Sequence, residues 1–292
     1  MICNICPRQC GVIRTETENK GGYCKAPETV ILSRAALHFW EEPCISGQNG
    51  SGTVFFSGCS LSCVFCQNRE ISQNINGKAV TVERLAEIFK ELERAGAENI
   101  NLVNPTHYVT QIAKAFEIYK PNIPVVYNSG GYESEATLKV ASQFVDVFLM
   151  DLKYLDPDKA LKYSGAADYP SVATNAILRC ADECPENVFD EKGIIKKGLI
   201  VRHLILPRST NDALNVINWV ENNVPFAVLS IMSQYTPYGD LKEFPEIDRK
   251  ITKREHLKVL DAARDSKIEK IYTQSLQSVG EQFIPSFDLT GV

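Results

Sequence analysis

No stretch of this 292-residue chain is apolar for long enough to span a bilayer; VDVFLM and LIVRHLILP, its greasiest runs, are too short or too interrupted. No apolar signal core precedes the cysteines of MICNICPRQC, so a secretory leader is not expected and the cytoplasm is. There is no basic stripe and no charged tail: both signs are spread along the chain, with a net charge of −5, which argues against a nucleic-acid partner as the apolar runs argue against a membrane. Internal repeats and low-complexity segments are absent as well. What is left, 44% hydrophobic and 23% charged, is the composition of a globular protein, long enough for one large α/β barrel-type domain or for two smaller ones.

Cysteine is the residue present in excess. Ten would suggest disulfides in a small secreted domain. Here seven of the ten fall in two tight groups, Cys3, Cys6, Cys10 and Cys24, then Cys59, Cys63 and Cys66, and such spacing reads as metal binding. Cys44, Cys180 and Cys184 read as ordinary thiols.

From residue 52 onward, apolar runs alternate with helical patterns. Strands are expected within 52–58, 99–105, 123–129, 145–154, 198–207 and 226–237, most of them continuously apolar, as parallel strands covered on both faces are. TVERLAEIFKELERAGA, capped by Thr81, is a helix with Leu85, Ile88, Phe89 and Leu92 on one face. YVTQIAKAFEIYK, ESEATLKVASQF, TNDALNVINWVENN and KREHLKVLDAARDSK follow the same rule. Six βα units predict a partial (β/α)6 TIM-like barrel over 52–292, an open doubly wound sheet being the other arrangement with this pattern. Residues 1–51, rich in Cys, Gly and Pro, are expected to form a small appended metal-binding module.

Reactive groups in such folds sit on loops at the carboxyl ends of strands. GCSLSCVFCQN follows the first strand at such an end. Thiolates suit zinc or iron–sulfur clusters, and a closed zinc site needs a fourth ligand. Neither Cys nor His occurs again before His107. A cubane held by three thiolates instead leaves one iron open to a small molecule.

Cys59-x3-Cys63-x2-Cys66, with Phe65 before the last cysteine, resembles the signature of radical S-adenosylmethionine (SAM) enzymes. With CNICPRQCGV, LSRAALHFWEEPCISG, NLVNPTHY, VVYNSGGYE, DVFLMDLKY and IMSQYTP, the chain is similar over nearly its whole length to the pyruvate formate-lyase activating enzyme-like subgroup, here with a cysteine-rich N-terminal extension. The resemblance implies a [4Fe-4S] cluster on Cys59, Cys63 and Cys66, SAM bound at its open iron, and a 5′-deoxyadenosyl radical that abstracts hydrogen. It also implies a flavodoxin or ferredoxin-type electron donor and a glycine of a glycyl radical enzyme as substrate. A small molecule or peptide is the alternative target. A non-catalytic iron–sulfur or zinc protein that binds partners or senses redox state is the alternative class.

The cofactor residues implied lie at the other strand ends. Where related enzymes carry Gly-Gly-Glu for the methionine amine, this chain has Asn104-Pro105-Thr106-His107; Asn104 and Thr106 can supply oxygen acceptors, and His107 is either a site residue or a helix start. Asn128 and Ser129 precede two glycines that allow either close ligand approach or a tight turn. Asp151 and Lys153 alternate on an apolar strand, so they face one side, as cofactor ligands or as a structural pair. Arg202 can grip a carboxylate bidentately, while His203 on the opposite face is a core histidine. Gln234 and Tyr235 are placed on the adenine side. His38, Glu41 and Glu42 either do proton work or bind a substrate amine, or lie on a solvated loop anchored by Trp40. The quartet Cys3, Cys6, Cys10 and Cys24 holds zinc as a staple or a second iron–sulfur cluster.

Overall fold

The computed structural model describes residues 2–276 and 285–292. The N-terminal segment opens with a two-stranded antiparallel ladder, β1 (Ile2–Cys3) on β2 (Val12–Ile13), which sets Cys3 opposite Val12. The main sheet begins with β3 (Val30–His38), crosses a single turn of helix, α1 (Pro43–Ser46), and returns antiparallel as β4 (Ser51–Phe56). The sheet therefore starts upstream of residue 52, and only the residues before β3 stand apart from it. A short helix, α2 (Arg69–Ser72), leads to β5 (Lys78–Val80), which pairs antiparallel on β3.

From there the chain alternates: α3 (Val82–Arg94), β6 (Ile100–Val103), a 3-10 turn (Thr106–Tyr108), α4 (Val109–Ile118), β7 (Val125–Ser129), α5 (Glu135–Ala141) and β8 (Val147–Asp151). Two helices, α6 (Pro157–Ser164) and α7 (Tyr169–Glu183), precede β9 (Val188–Phe189) and the long β10 (Ile195–Leu204). Next come α8 (Thr210–Asn223), β11 (Val228–Met232), α9 (Lys253–Asp265) and β12 (Lys270–Thr273).

The strands pair in the order β12-β11-β10-β8-β7-β6-β4-β3-β5, with β9 antiparallel on β10. From β4 to β12 every neighbour is parallel, so the carboxyl ends of these strands line up on one side. This is the expected partial barrel, open between its edges among the described residues, with the six expected strands in place and β12 added as a further parallel strand. β4, β7 and β8 are buried along their whole length, as their unbroken apolar runs require. Thr81 caps α3 by accepting from the Arg84 N–H. Among the described residues, no helix is long and apolar enough to cross a membrane.

The last residues fold back on the β3 edge. Leu289 N–H donates to the Ser33 carbonyl, Ala35 N–H to that of Thr290, and Arg34 pairs with Asp288 at 2.7 Å.

Candidate active site

β4 runs directly into the sulfur loop. Gly58 there has φ 93°, and a Cβ on it would stand 2.8 Å from the Cys24 carbonyl oxygen; the loop and the N-terminal segment pass at a distance that only glycine permits. Cys63 and Cys66 line a cleft of about 250 Å³ at the carboxyl ends of the strands, with Cys59 beside them. Each sulfur has a polar neighbour. Leu61 N–H donates to Cys59 Sγ (3.3 Å), Ser72 Oγ to Cys66 Sγ (3.4 Å), and Cys63 Sγ shares a hydrogen bond with Ser164 Oγ (2.9 Å). Burial pushes the Cys59 thiol up, and the charge of Cys63 adds to it; burial also raises Cys63, against the pull of Lys153. Such thiols ionise only when a cation or metal takes the charge.

Across the cleft lies a knot of charge. Arg202 sits beside Asp151 in the β10–β8 register, and its guanidinium reaches three partners: Asp151 Oδ1 from Nε (2.8 Å), Glu41 Oε2 from Nη1 (3.2 Å) and Asn128 Oδ1 from Nη2 (2.7 Å). Lys153 Nζ donates to the other Asp151 oxygen at 2.5 Å, while Asn101 and Asn128 both donate to Glu41 Oε1 at 3.2 Å. Burial opposes the Asp151 charge, but Arg202 and Lys153 outweigh it and hold its carboxyl below the usual range. Glu41 goes the other way: burial raises it despite Arg202. Gln234 lines the same cleft, and Tyr235 closes its floor, its ring edge-on to Phe65 at 6.0 Å and its hydroxyl on the Ile247 carbonyl.

The cleft thus gathers Cys63, Cys66, Asn128, Asp151, Lys153, Arg202 and Gln234, but not Asn104, Thr106 or Ser129. Asn104, at φ 59°, donates its side-chain amide to the Gly58 carbonyl and braces the sulfur loop from behind. Thr106 and Ser129 both turn their hydroxyls onto Glu133, which also accepts from Tyr127 (3.2 Å). Burial lifts Glu133 to about 7 against those three donors. Neither Glu133 nor the Glu41 contacts were expected. Three donors converging on the Glu41 carboxylate rule out the solvated loop for that residue, although Trp40 beside it is 58% exposed. His38 also lines the cleft, edge-on to Phe55 and held neutral by burial. His203 is a buried core residue hydrogen-bonded to the Leu152 carbonyl at 2.8 Å.

His107 lies elsewhere. It is 2% exposed, donates from Nε2 to the Ser57 carbonyl at 2.8 Å, and lines a small cavity with Cys3, Cys6, Cys10 and Cys24. Burial takes it down to about 3, so the ring is neutral. All ten cysteines are free, and among the described residues no three His, Cys, Asp or Glu side chains converge on the position of a single ion.

A family model for the Radical SAM superfamily matches residues 53–196, the span from β4 to the start of β10 that carries the sulfur loop. A Methanocaldococcus jannaschii protein, "Uncharacterized protein MJ0674", is 31% identical over 280 residues, covering 92% of this chain and 76% of its own. The chain belongs to the radical SAM superfamily. Among solved structures, a domain of pyruvate-formate lyase-activating enzyme from Bacteroides vulgatus aligns at 10% identity and a TM-score of 0.39, over 66% of this chain and 91% of that one. Membership implies a [4Fe-4S] cluster and SAM. The donor set of this radical SAM protein fits them: three soft, free thiols with no fourth thiol on the cleft, and a mixed-charge wall opposite for a zwitterion.

Proposed function

We propose that this protein cleaves SAM reductively and directs the 5′-deoxyadenosyl radical at a hydrogen of its substrate. The observation that carries the reading is the loop of Cys59, Cys63 and Cys66 opening onto a cleft without a fourth thiol, opposite Asp151, Lys153 and Arg202. These three cysteines would hold the [4Fe-4S] cluster, which when bound supplies the electron that opens the sulfonium. Lys153 and Arg202 offer cations to the methionine carboxylate, and Asp151 and Glu41 offer carboxylates to its ammonium. Asn128 and Gln234 add neutral donors and acceptors, and Phe65, Leu204 and Leu206 keep that end dry. Asn104, Thr106 and Ser129 act behind this wall, through Gly58 and Glu133.

The substrate, in this proposal, is a glycine of a glycyl radical enzyme, and the electron comes from a flavodoxin or ferredoxin-type donor. Support for a macromolecular target over a small molecule comes from Phe39 and Trp40, adjacent aromatics 50% and 58% exposed, with Trp40 on the cleft.

The test is anaerobic. Reduced, fully iron- and sulfide-loaded protein is mixed with SAM, and 5′-deoxyadenosine is measured by chromatography. It should form with the native chain and not with Cys63→Ala; none from fully loaded native protein defeats the proposal. A candidate partner carrying α-deuterated glycine should pass deuterium into the 5′-deoxyadenosine, and failure to do so for every glycine removes that partner while leaving the cleavage reading intact.

A further inference from the structure

The N-terminal segment carries chemistry that SAM cleavage does not use. Its first 24 residues contribute Cys3, Cys6, Cys10 and Cys24 to one cavity of about 10 Å³, and the side chains of Cys3, Cys6 and Cys24 are nearly inaccessible. The fold places them deliberately. The β1–β2 ladder holds Cys3, Gln9 N–H closes a turn onto the Cys6 carbonyl, and Gly11 N–H returns to that of Cys3. Several sulfurs already receive N–H donors: Cys10 from the Tyr23 backbone (3.4 Å), Cys24 from the Asn19 amide (3.7 Å) and Cys3 from the Arg14 guanidinium (4.0 Å). Donors of this kind orient and stabilise thiolates bound to a metal. Thiols with no metal would gain little from them.

A second observation comes from the barrel itself. His107 lines the same cavity from the β6–α4 turn. The Ser57 oxygen can only accept, so the ring proton is on Nε2 and the lone pair is on Nδ1. That Nδ1 is buried and has no hydrogen-bond partner. A bare imidazole nitrogen on a residue that lines the cavity of four cysteines is explained by a metal centre it ligates or faces.

We infer that Cys3, Cys6, Cys10 and Cys24, which surround one cavity without converging on a single ion position, draw together on binding to form a thiolate-bound metal centre of their own, zinc or iron–sulfur, with His107 Nδ1 directed to it from the barrel. The inference does not rest on SAM cleavage. It gives this centre a position: His107 holds the carbonyl of Ser57, two residues before Cys59, and Arg8, between Cys6 and Cys10, donates to the carbonyls of Ser60 (2.9 Å) and Gly165 (2.6 Å). The start of the sulfur loop is thus held on one side by His107 of the barrel and on the other by Arg8 of the N-terminal segment.

The experiment uses the full chain with Cys59, Cys63 and Cys66 all changed to Ala, purified anaerobically and analysed for iron, zinc and acid-labile sulfide. One centre per chain should remain: zinc without sulfide in one arm, iron with sulfide in the other, and either supports the inference. Cysteine alkylation followed by mass spectrometry reads the same point without relying on a further variant. Cys3, Cys6, Cys10 and Cys24 should be protected while metal is bound and become labelled after chelation. Adding His107→Gln should shift the absorption of the iron centre, or of cobalt substituted for zinc, by altering the field at the metal. A metal-free triple variant whose four thiols label at once would overturn the site, and an unchanged spectrum in His107→Gln would remove the histidine from it.

Discussion

Replacing Arg202 by Met tests the charge knot. The guanidinium side chain is 14% exposed and is shared by Asp151, Glu41 and Asn128. Asp151 keeps Lys153 in the variant, whereas Glu41 keeps only two amide donors and loses its cation. Removing one partner of a buried ion pair costs about 3–5 kcal/mol. The loss carries a pH signature. Glu41 already lies above the ordinary carboxylate value because of burial, and without Arg202 it rises further. The folded chain then binds a proton that the unfolded chain has released, so stability falls as pH rises. Urea unfolding followed by circular dichroism at pH 5.5 and pH 8 should show a larger loss at pH 8. The double variant Glu41→Gln/Arg202→Met should recover part of it, since the two sites share a bond and are not additive. A loss below about 1 kcal/mol, the scale of an exposed pair, or an equal loss at both pH values, would refute the view that Glu41 depends on Arg202.

Two further outcomes follow from the same region. Gly131→Ala should weaken SAM binding in equilibrium dialysis and lower stability by about 1–3 kcal/mol, because the new Cβ would fall 2.2 Å from the Asp151 carbonyl oxygen at a backbone φ of 82°; native affinity and melting temperature in this variant would contradict the packing described. Glu133→Gln should titrate differently from the native chain. With Glu133 raised to about 7 by burial, its favourable contribution is full below about 4.5 and is lost as pH rises to about 7, so the native advantage over the variant, measured by urea midpoints, should shrink across that window, and a constant difference would count against a protonated Glu133.

The strand series was legible because parallel strands buried on both faces leave unbroken apolar runs, and the six seen in the sequence are β4, β6, β7, β8, β10 and β11. β12 was missed since KIYT is short and partly exposed, with no such run. α6 and α7 were missed because Pro157, Gly165 and Pro170 interrupt the periodic pattern at helix ends. β3 escaped for another reason: VILSRAALH mixes polar and apolar residues in a segment whose cysteines and glycines dominate the reading. At the site, one-dimensional spacing exposed the cysteines, and charge within apolar strands exposed Asp151, Lys153 and Arg202. Thr106 and Ser129 were drawn toward the cofactor because a sequence shows which strand end a hydroxyl occupies, not which carboxylate captures it. Glu133 had a signal after all, an acidic residue following two glycines, but only the fold brings Thr106 to it.

The reach of Arg202 also bears on synthesis. Its contacts go back 161 residues to Glu41 and 74 to Asn128. A chain leaving the ribosome with β8 just completed already presents Glu41, Asn128 and Asp151 to one another without the guanidinium that reconciles them. Closure over these carboxylates must wait until β10 has emerged and docked, which makes the early barrel a non-local, slow-to-seal intermediate. A truncated product ending before residue 195 would therefore keep Lys153 on Asp151 but leave Glu41 without a cation, and be a natural client for chaperones and proteases.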